Sequence, residues 1–404
     1  MTFAEIFAQL FDQGEVLKEL MEASQLGHLY IPYEGEVPSS WPVVSEEGRL
    51  YLKRNYFFEE SIVENLMRLW DADVKPLDIL LQPVMFLVGG PGTGKSYTIR
   101  QLIERLPKEM RVVVAAPTGK AAARLGGQTL HAALGVKRSR DFMEKIPYLP
   151  VDLLIVDEAS MIDAAMWSYL LKALPTSTRL LLVGDPHQLP PVEAGTIFAD
   201  LCDYVRRFRK EALIELTHCY RTDRLDILDM AEKVKRGEMI PFETEIGDVG
   251  GAQVLSSLKK GAWGIHRMNE FLGQKREEVS IILTENDDTM GIYNGMMGVL
   301  RGNRGYLEDG RVFKIGELPK FDKAYCLSIH KSQGSEYDEV VVLLPPGSEV
   351  FGREILYTAL TRAKQKVRLI SSEVTLRLTL NKSARRLSHV IEKLELWRKS
   401  CIPI

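Results

Sequence analysis

Four runs of the chain, 84–88, 112–116, 153–156 and 180–183, are apolar at every position. A strand with one wet face alternates apolar and polar residues, whereas a strand covered on both faces does not. The stretches between the runs are of helical length, and parallel strands need such crossovers, so the pattern predicts a parallel sheet with helices on both faces over about 81–205. Upstream, Ile6, Leu10, Leu17, Leu20 and Met21 recur at roughly helical spacing, and a Pro/Gly-containing stretch follows at 31–42. A second helical pattern, Ile62, Val63, Leu66, Leu69 and Trp70, stops before Pro76. Residues 1–80 therefore read as a small helical N-terminal domain. Beyond 205 the apolar runs are sparser. Those at 281–283, 340–344 and 369–371 read as strands of a second α/β unit over 206–404. Gly-rich alternation around Val299, Tyr306, Val312 and Phe313 predicts a small β insertion at about 290–320.

Composition adds limits. The 404 residues, 45% hydrophobic and 26% charged, suit a globular chain of two or three domains and exclude disordered, collagen-like and coiled-coil classes. No apolar run reaches the about 18 residues of a membrane span, and an acidic residue stands early in the N-terminal stretch, so a cytoplasmic protein without membrane contact is expected. Cys202, Cys219, Cys326 and Cys401 lie too far apart for a zinc or redox pair and read as reduced thiols. The charge of -3 neither requires nor forbids a nucleic-acid partner. Two basic clusters, at 206–210 and 377–399, read either as nucleic-acid surfaces or as solvated helix faces.

Chemistry enters with Gly89-Gly90-Pro91-Gly92-Thr93-Gly94-Lys95-Ser96, between a predicted strand and a predicted helix. That context is what a phosphate-binding loop requires. Glycines let backbone N–H groups turn inward, the helix N-terminus adds partial positive charge, Lys95 reaches the β and γ oxygens of ATP, and Ser96 can ligate Mg²⁺. The run 153–156 ends in Asp157-Glu158. Alone such a pair is a solvated turn, but after four buried aliphatics Asp157 can reach the Mg²⁺ and Glu158 can act as general base on water. The run 180–183 leads into Gly184-Asp185-Pro186-His187-Gln188-Leu189-Pro190-Pro191, either a plain Pro-rich loop or a rigid turn that holds Gln188 over the γ-phosphate.

With these stand further segments: Ala116-Pro117-Thr118-Gly119-Lys120, Thr129-Leu130-His131, Leu216-Thr217-His218-Cys219-Tyr220-Arg221, Ser328-Ile329-His330-Lys331-Ser332-Gln333-Gly334-Ser335-Glu336 and Tyr357-Thr358-Ala359-Leu360-Thr361-Arg362. In this order they resemble the motifs of superfamily-one helicases and, within them, the RecD family, the alpha subunits of bacterial exodeoxyribonuclease V. Arg49-Leu50-Tyr51-Leu52-Lys53-Arg54 and Gly291-Ile292-Tyr293-Asn294-Gly295 extend the resemblance over most of 45–370. It implies two RecA-like domains with ATP between them, and Arg221 and Arg362 of the second domain on the γ-phosphate. Gly334 and Glu336 would face the nucleotide, and Thr118, His131 and His330 would lie along single-stranded DNA. It also implies 5′ to 3′ unwinding of duplex, RecB-like and RecC-like partner subunits, docking through the N-terminal domain, and a role in double-strand-break repair and recombination. The adenine-reading glutamine of such motors has only Gln82 as a candidate, and the 135–150 segment is short for the strand-separating pin of stand-alone relatives. The rival readings are a stand-alone helicase and a scaffolding subunit switched by ATP.

Overall fold

The computed structural model describes residues 14–136, 146–220, 224–274, 278–287 and 289–400. Ile6 and Leu10 lie outside the described residues, of which the first element is a helix, Gly14–Gln25, followed by β1 (Tyr30–Pro32), β2 (Val43–Glu46) and β3 (Arg49–Leu52) in an antiparallel sheet of order β1-β3-β2. The N-terminal region is thus not purely helical. Its strands are three or four residues long, too short for an alternating pattern to register. Leu17, Leu20, Met21, Ile31, Trp41, Val43, Leu50 and Leu52 close a small core of their own.

The helix Lys53–Trp70 contributes no residue to that core. Ile62, Val63, Leu66, Leu69 and Trp70 are buried with Trp167 and Leu170 of the helix Ala164–Ala173, inside the core of the next domain. Arg68 also donates from Nη2 to the carbonyls of Leu171 and Leu174, at 3.0 and 2.8 Å. The expected boundary at 80 therefore cuts through one packed unit.

β4 (Val84–Gly89), β5 (Val112–Ala116), β6 (Gln128–Thr129), β7 (Leu153–Val156), β8 (Arg179–Gly184) and β9 (Leu213–Leu216) form a six-stranded sheet, parallel throughout, of order β6-β5-β7-β8-β4-β9. Its last strand lies past the expected end at 205, because the short, only half-buried 213–216 run lacks the all-apolar signature of its neighbours.

The second parallel sheet has four strands. β10 (Gln253–Ser256) sits between two strands that come much later in the chain. The insertion follows as β11 (Val279–Leu283), β12 (Met297–Arg301), β13 (Arg304–Leu307), β14 (Val312–Lys314) and β15 (Phe321–Lys323), antiparallel in the order β14-β13-β12-β11-β15. The chain then returns to the second sheet through β16 (Cys326–Ser328), β17 (Tyr337–Leu344) and β18 (Ala363–Ser371), order β16-β10-β17-β18. The 281–283 run, expected in this sheet, belongs to the insertion. Ile281 and Leu283 face the insertion core while Ile282 packs on the second domain, so the run is apolar on both faces without belonging to the second parallel sheet. After the helix Glu373–Asn381 the chain crosses back. Val390 and Leu394 of the helix Val390–Ser400 join the core of the first domain, so the second domain does not extend to 404. No helix among the described residues is long and apolar enough to cross a membrane.

Candidate active site

The phosphate loop joins β4 to the helix Lys95–Arg105. Gly92 and Gly94 have φ of +79° and +90°, a left-handed backbone that side chains disfavour. Gly89 is glycine for space: a Cβ there would lie 2.7 Å from the Leu216 carbonyl oxygen on β9. Lys95 folds over the loop, and its Nζ donates to the carbonyls of Gly89 and Gly90 at 2.7 and 2.9 Å. Thr93 ties the turn from within, its hydroxyl donating to the Gly90 carbonyl at 2.8 Å.

A cleft of about 400 Å³ opens beside this loop and is lined from both α/β domains. The first domain contributes Pro91, Gly92, Gly94, Lys95, Ser96, Asp157, Glu158 and Gln188; the second contributes Gly334, Glu336 and Arg362. The structure therefore brings together most of the residues singled out for ATP. Arg221 lies outside the described residues. The chain reaches the loop one residue earlier, where the Tyr220 backbone N–H donates to the Gly92 carbonyl at 2.8 Å. Tyr97, Arg124, Tyr220 and Lys364 also line the cleft and were not foreseen, since none stands out as a residue type at its position. Gln82 lines neither this cleft nor the larger cavity on the other flank of the loop.

Asp157 follows β7 and is 4% exposed. Burial, and then the Glu158 carboxylate beside it, push its pKa up to about 6, against the opposing charges of Lys95 and Arg124. Its Oδ1 accepts the Glu158 backbone N–H at 2.9 Å. Glu158 itself has φ +53° and ψ +39°. A left-handed conformation at a non-glycine costs on the order of 1–3 kcal/mol and persists where its surroundings enforce it. Here it re-aims the chain so that both consecutive carboxyl groups line one cleft.

From the opposite wall, Arg362 is 2% exposed. Its Nε donates to the Thr358 carbonyl at 3.0 Å and its Nη1 to the Ser335 carbonyl at 3.3 Å. Burial lowers its pKa, opposed by the charges of Glu158, Glu336 and Asp185. Glu336 lies between two cations, 3.9 Å from Arg124 and 3.8 Å from Lys364. The buried Gln188 donates from Nε2 to Asp185 at 3.3 Å, and its Oε1 has no protein partner. An orphaned acceptor, two carboxyl groups, a lysine and an arginine around a glycine turn form a donor and acceptor set that suits a triphosphate with Mg²⁺.

The three DNA candidates stand elsewhere, none lining the cleft. Thr118 caps the helix Gly119–Arg124, its Oγ1 accepting the Ala121 N–H at 3.3 Å. His131 is exposed on the short helix Leu130–Ala133. His330 packs edge-on against Phe351, ring centroids 5.4 Å apart, and burial lowers its pKa, with Arg386 and Lys259 adding to the effect. Several residues of the basic clusters are engaged by this chain's own side chains. Arg206 pairs with Glu215 at 2.8 Å, Arg209 lies over the Trp70 ring, Arg385 pairs with Asp203 at 2.6 Å, and Arg398 lies over Phe208. Cys202, Cys219 and Cys326 are free thiols; Cys401 lies outside the described residues.

Two parallel-sheet domains facing each other across a phosphate loop define a P-loop NTPase with its nucleotide cleft between domains. An AAA-domain family model matches residues 78–248, and a UvrD-like helicase C-terminal domain model matches 323–370. The RecBCD enzyme subunit RecD of Mycolicibacterium smegmatis is 30% identical over 85% of this chain and 82% of its own length. The ATP-dependent RecD2 DNA helicase of Deinococcus radiodurans is 33% identical over 70% of this chain, which spans 46% of that protein. In fold the chain is similar to Bacteroides Pif1 bound to ssDNA, with a TM-score of 0.53 at 20% identity, over 85% of this chain and 96% of that one. The chain belongs to the RecD family of ATP-dependent DNA helicases.

Proposed function

We propose that this protein is an ATP-driven motor that moves 5′ to 3′ on single-stranded DNA and unwinds duplex, working with RecB-like and RecC-like subunits in double-strand-break repair and recombination. The observation that carries the reading is the cleft itself, in which Lys95, Asp157 and Glu158 of one domain meet Arg362 of the other. Lys95 would neutralise phosphate charge, with Ser96 and Asp157 holding Mg²⁺. When bound, that ion neutralises charge on the phosphate oxygens. Glu158 takes the proton of the attacking water, Gln188 orients that water or the γ-phosphate, and Arg362 with Arg221 supplies guanidinium charge as phosphoryl charge develops. Gly334 and Glu336 complete the nucleotide wall. A nucleotide held between two domains ties hydrolysis to their relative movement, which is how a motor couples ATP to steps along a strand.

For DNA, Thr118, His131 and His330 remain the proposed contacts. His131 has the exposure that the role demands. The cap made by Thr118 leaves its hydroxyl one hydrogen to donate, while burial keeps His330 neutral, so it would serve as a hydrogen-bonding rather than a charged contact. The relatives named as RecD subunits of RecBCD, and the short 135–150 segment where stand-alone relatives carry a pin, favour the complex-bound form over the stand-alone one. Retention of Lys95, Glu158 and Arg362 in one cleft argues against a scaffold that only binds ATP. The test is ATP hydrolysis with and without single-stranded DNA, together with co-purification with RecB-like and RecC-like subunits. DNA-stimulated turnover and co-purification are expected, and turnover indifferent to DNA would sink the motor reading.

A further inference from the structure

Gln188 belongs to the first motor domain, yet two of the groups that fix its turn come from the second. Tyr357 and Thr358 are consecutive residues on the helix Gly352–Leu360, 4% and 0% exposed. The Tyr357 hydroxyl donates to Asp185 Oδ2 at 3.0 Å, and Thr358 Oγ1 accepts the Leu189 backbone N–H at 2.9 Å. Asp185 is 1% exposed, and it is where the donors converge: Oδ1 takes the His187 N–H at 3.0 Å, and Oδ2 takes Gln188 Nε2 at 3.3 Å beside the tyrosine. A buried carboxylate depends on such donors, and one of its three arrives only from the other domain. Burial, and then the Asp185 charge, hold the Tyr357 phenol well above its ordinary pKa, so it stays a donor across the working pH range. The same helix grips the arginine, because the Thr358 carbonyl accepts Arg362 Nε.

We propose that Tyr357 is a positioning residue, a latch across the two motor domains that holds Gln188 through Asp185 and so makes hydrolysis depend on domain closure. Parting the domains withdraws the hydroxyl and the Thr358 acceptor together, leaving Asp185 short of a donor and the Gln188 amide free to turn. Closure restores both, and it brings Arg362 into the cleft by the same helix. Glutamine orientation and guanidinium delivery thereby become one event. The inference rests on the ATPase reading of the cleft.

The experiment is Tyr357→Phe in the full chain, which removes one hydroxyl and keeps the ring. Loss of a hydrogen bond to a charged group in the transition-state geometry is expected to lower kcat for DNA-stimulated hydrolysis about tenfold or more, with KM for ATP within about twofold and the melting transition retained. Asp185→Asn, measured in the same way, is expected to show the same split, and the double variant to be no slower than the slower single one. A kcat within about twofold of the parent in folded Tyr357→Phe, or a raised KM at unchanged kcat, overturns the latch. If Tyr357→Phe does not fold, Asp185→Asn decides by the same two parameters. Lys95→Ala runs alongside: if it hydrolyses ATP like the parent, the reading of the cleft fails, whatever Tyr357 does.

Discussion

Glu158 and Lys95 occupy one cleft but should fail differently when replaced. Glu158→Gln keeps the shape and hydrogen-bonding reach of the side chain and removes the base, so we expect DNA-stimulated turnover to fall at least about a hundredfold while ATP is still bound. Lys95→Ala removes charge that the phosphates need in the ground state as well, so binding is expected to weaken along with turnover. A filter-binding assay beside the hydrolysis assay separates the two, and near-parental hydrolysis by Glu158→Gln would remove it from the role of base. Arg362 needs a different design. Its guanidinium serves the Ser335 and Thr358 carbonyls inside the protein. Arg362→Ala is therefore expected to cost stability, on the order of 1–3 kcal/mol from unsatisfied buried groups, as well as turnover. Arg362→Lys keeps a cation and should retain more stability while still losing most of the rate, because an ammonium lacks the planar fork. Equal turnover in Arg362→Lys and the parent would count against a guanidinium-specific role. The phosphate loop and the Asp157-Glu158 pair were legible in the sequence because each is a local arrangement, a few residues fixed by one turn of backbone. The Asp185–Tyr357 bond was not, because its partners stand 172 positions apart and each alone is an ordinary residue of a loop or helix.

At the scale of elements, the same contrast separates strands from connections. All-apolar runs marked β4, β5, β7 and β8 because both faces of a central strand are covered. The N-terminal sheet, with strands of three or four residues, left no period to read. Nor did the basic residues of 377–399 announce that they bind this protein's own surface. The segment after the helix Glu373–Asn381 is a strap: the His389 N–H donates to Glu59 Oε1 at 2.9 Å, the Leu387 N–H to His28 Nδ1 at 2.9 Å, and Arg385 reaches Asp203. Beneath the strap, burial pushes Asp200 up to about 7, opposed by the Arg385 charge and a hydrogen bond from Ser388. A carboxyl group raised in the folded state contributes stability that is complete below its unfolded pKa of about 4 and lost as pH rises through the folded value. Asp200→Asn mimics the protonated form at every pH. Its stability relative to the parent should therefore be level near pH 4 and pull ahead as pH rises to 7 and above, the gap growing to about 4 kcal/mol. Denaturant melts across that range check the sign. A gap that stays constant, or shrinks as pH rises, would show that Asp200 is charged and well served beneath the strap.

For the whole molecule, the strap means that the chain crosses between motor domains twice, once after β9 and again at 382–389. Two crossings restrict the second domain to movements that pivot near both, a hinge rather than free separation. They also bind the N-terminal region into the motor, since Lys393 pairs with Glu46 at 3.0 Å and with Glu60, and the Leu29 N–H donates to the Leu387 carbonyl at 2.9 Å. This changes where the N-terminal region can be cut. Deleting 1–75 removes Ile62, Leu66, Leu69 and Trp70 from a core they share with Trp167, each large buried side chain being worth several kcal/mol. That truncation is expected to be insoluble whatever the role of the N-terminal sheet. Deleting 1–52 instead leaves the helix Lys53–Trp70 and its core face in place, and removes the sheet with its separate core. If the sheet region is the docking element for a RecC-like subunit, the 53–404 chain should stay soluble, hydrolyse ATP within about threefold of the parent, and fail to co-purify with that subunit. Should the 53–404 chain still co-purify, docking lies on the motor surface. Should it be soluble but inactive, the sheet acts through the strap on the hinge, and its removal reaches the ATP cleft by loosening the second crossing.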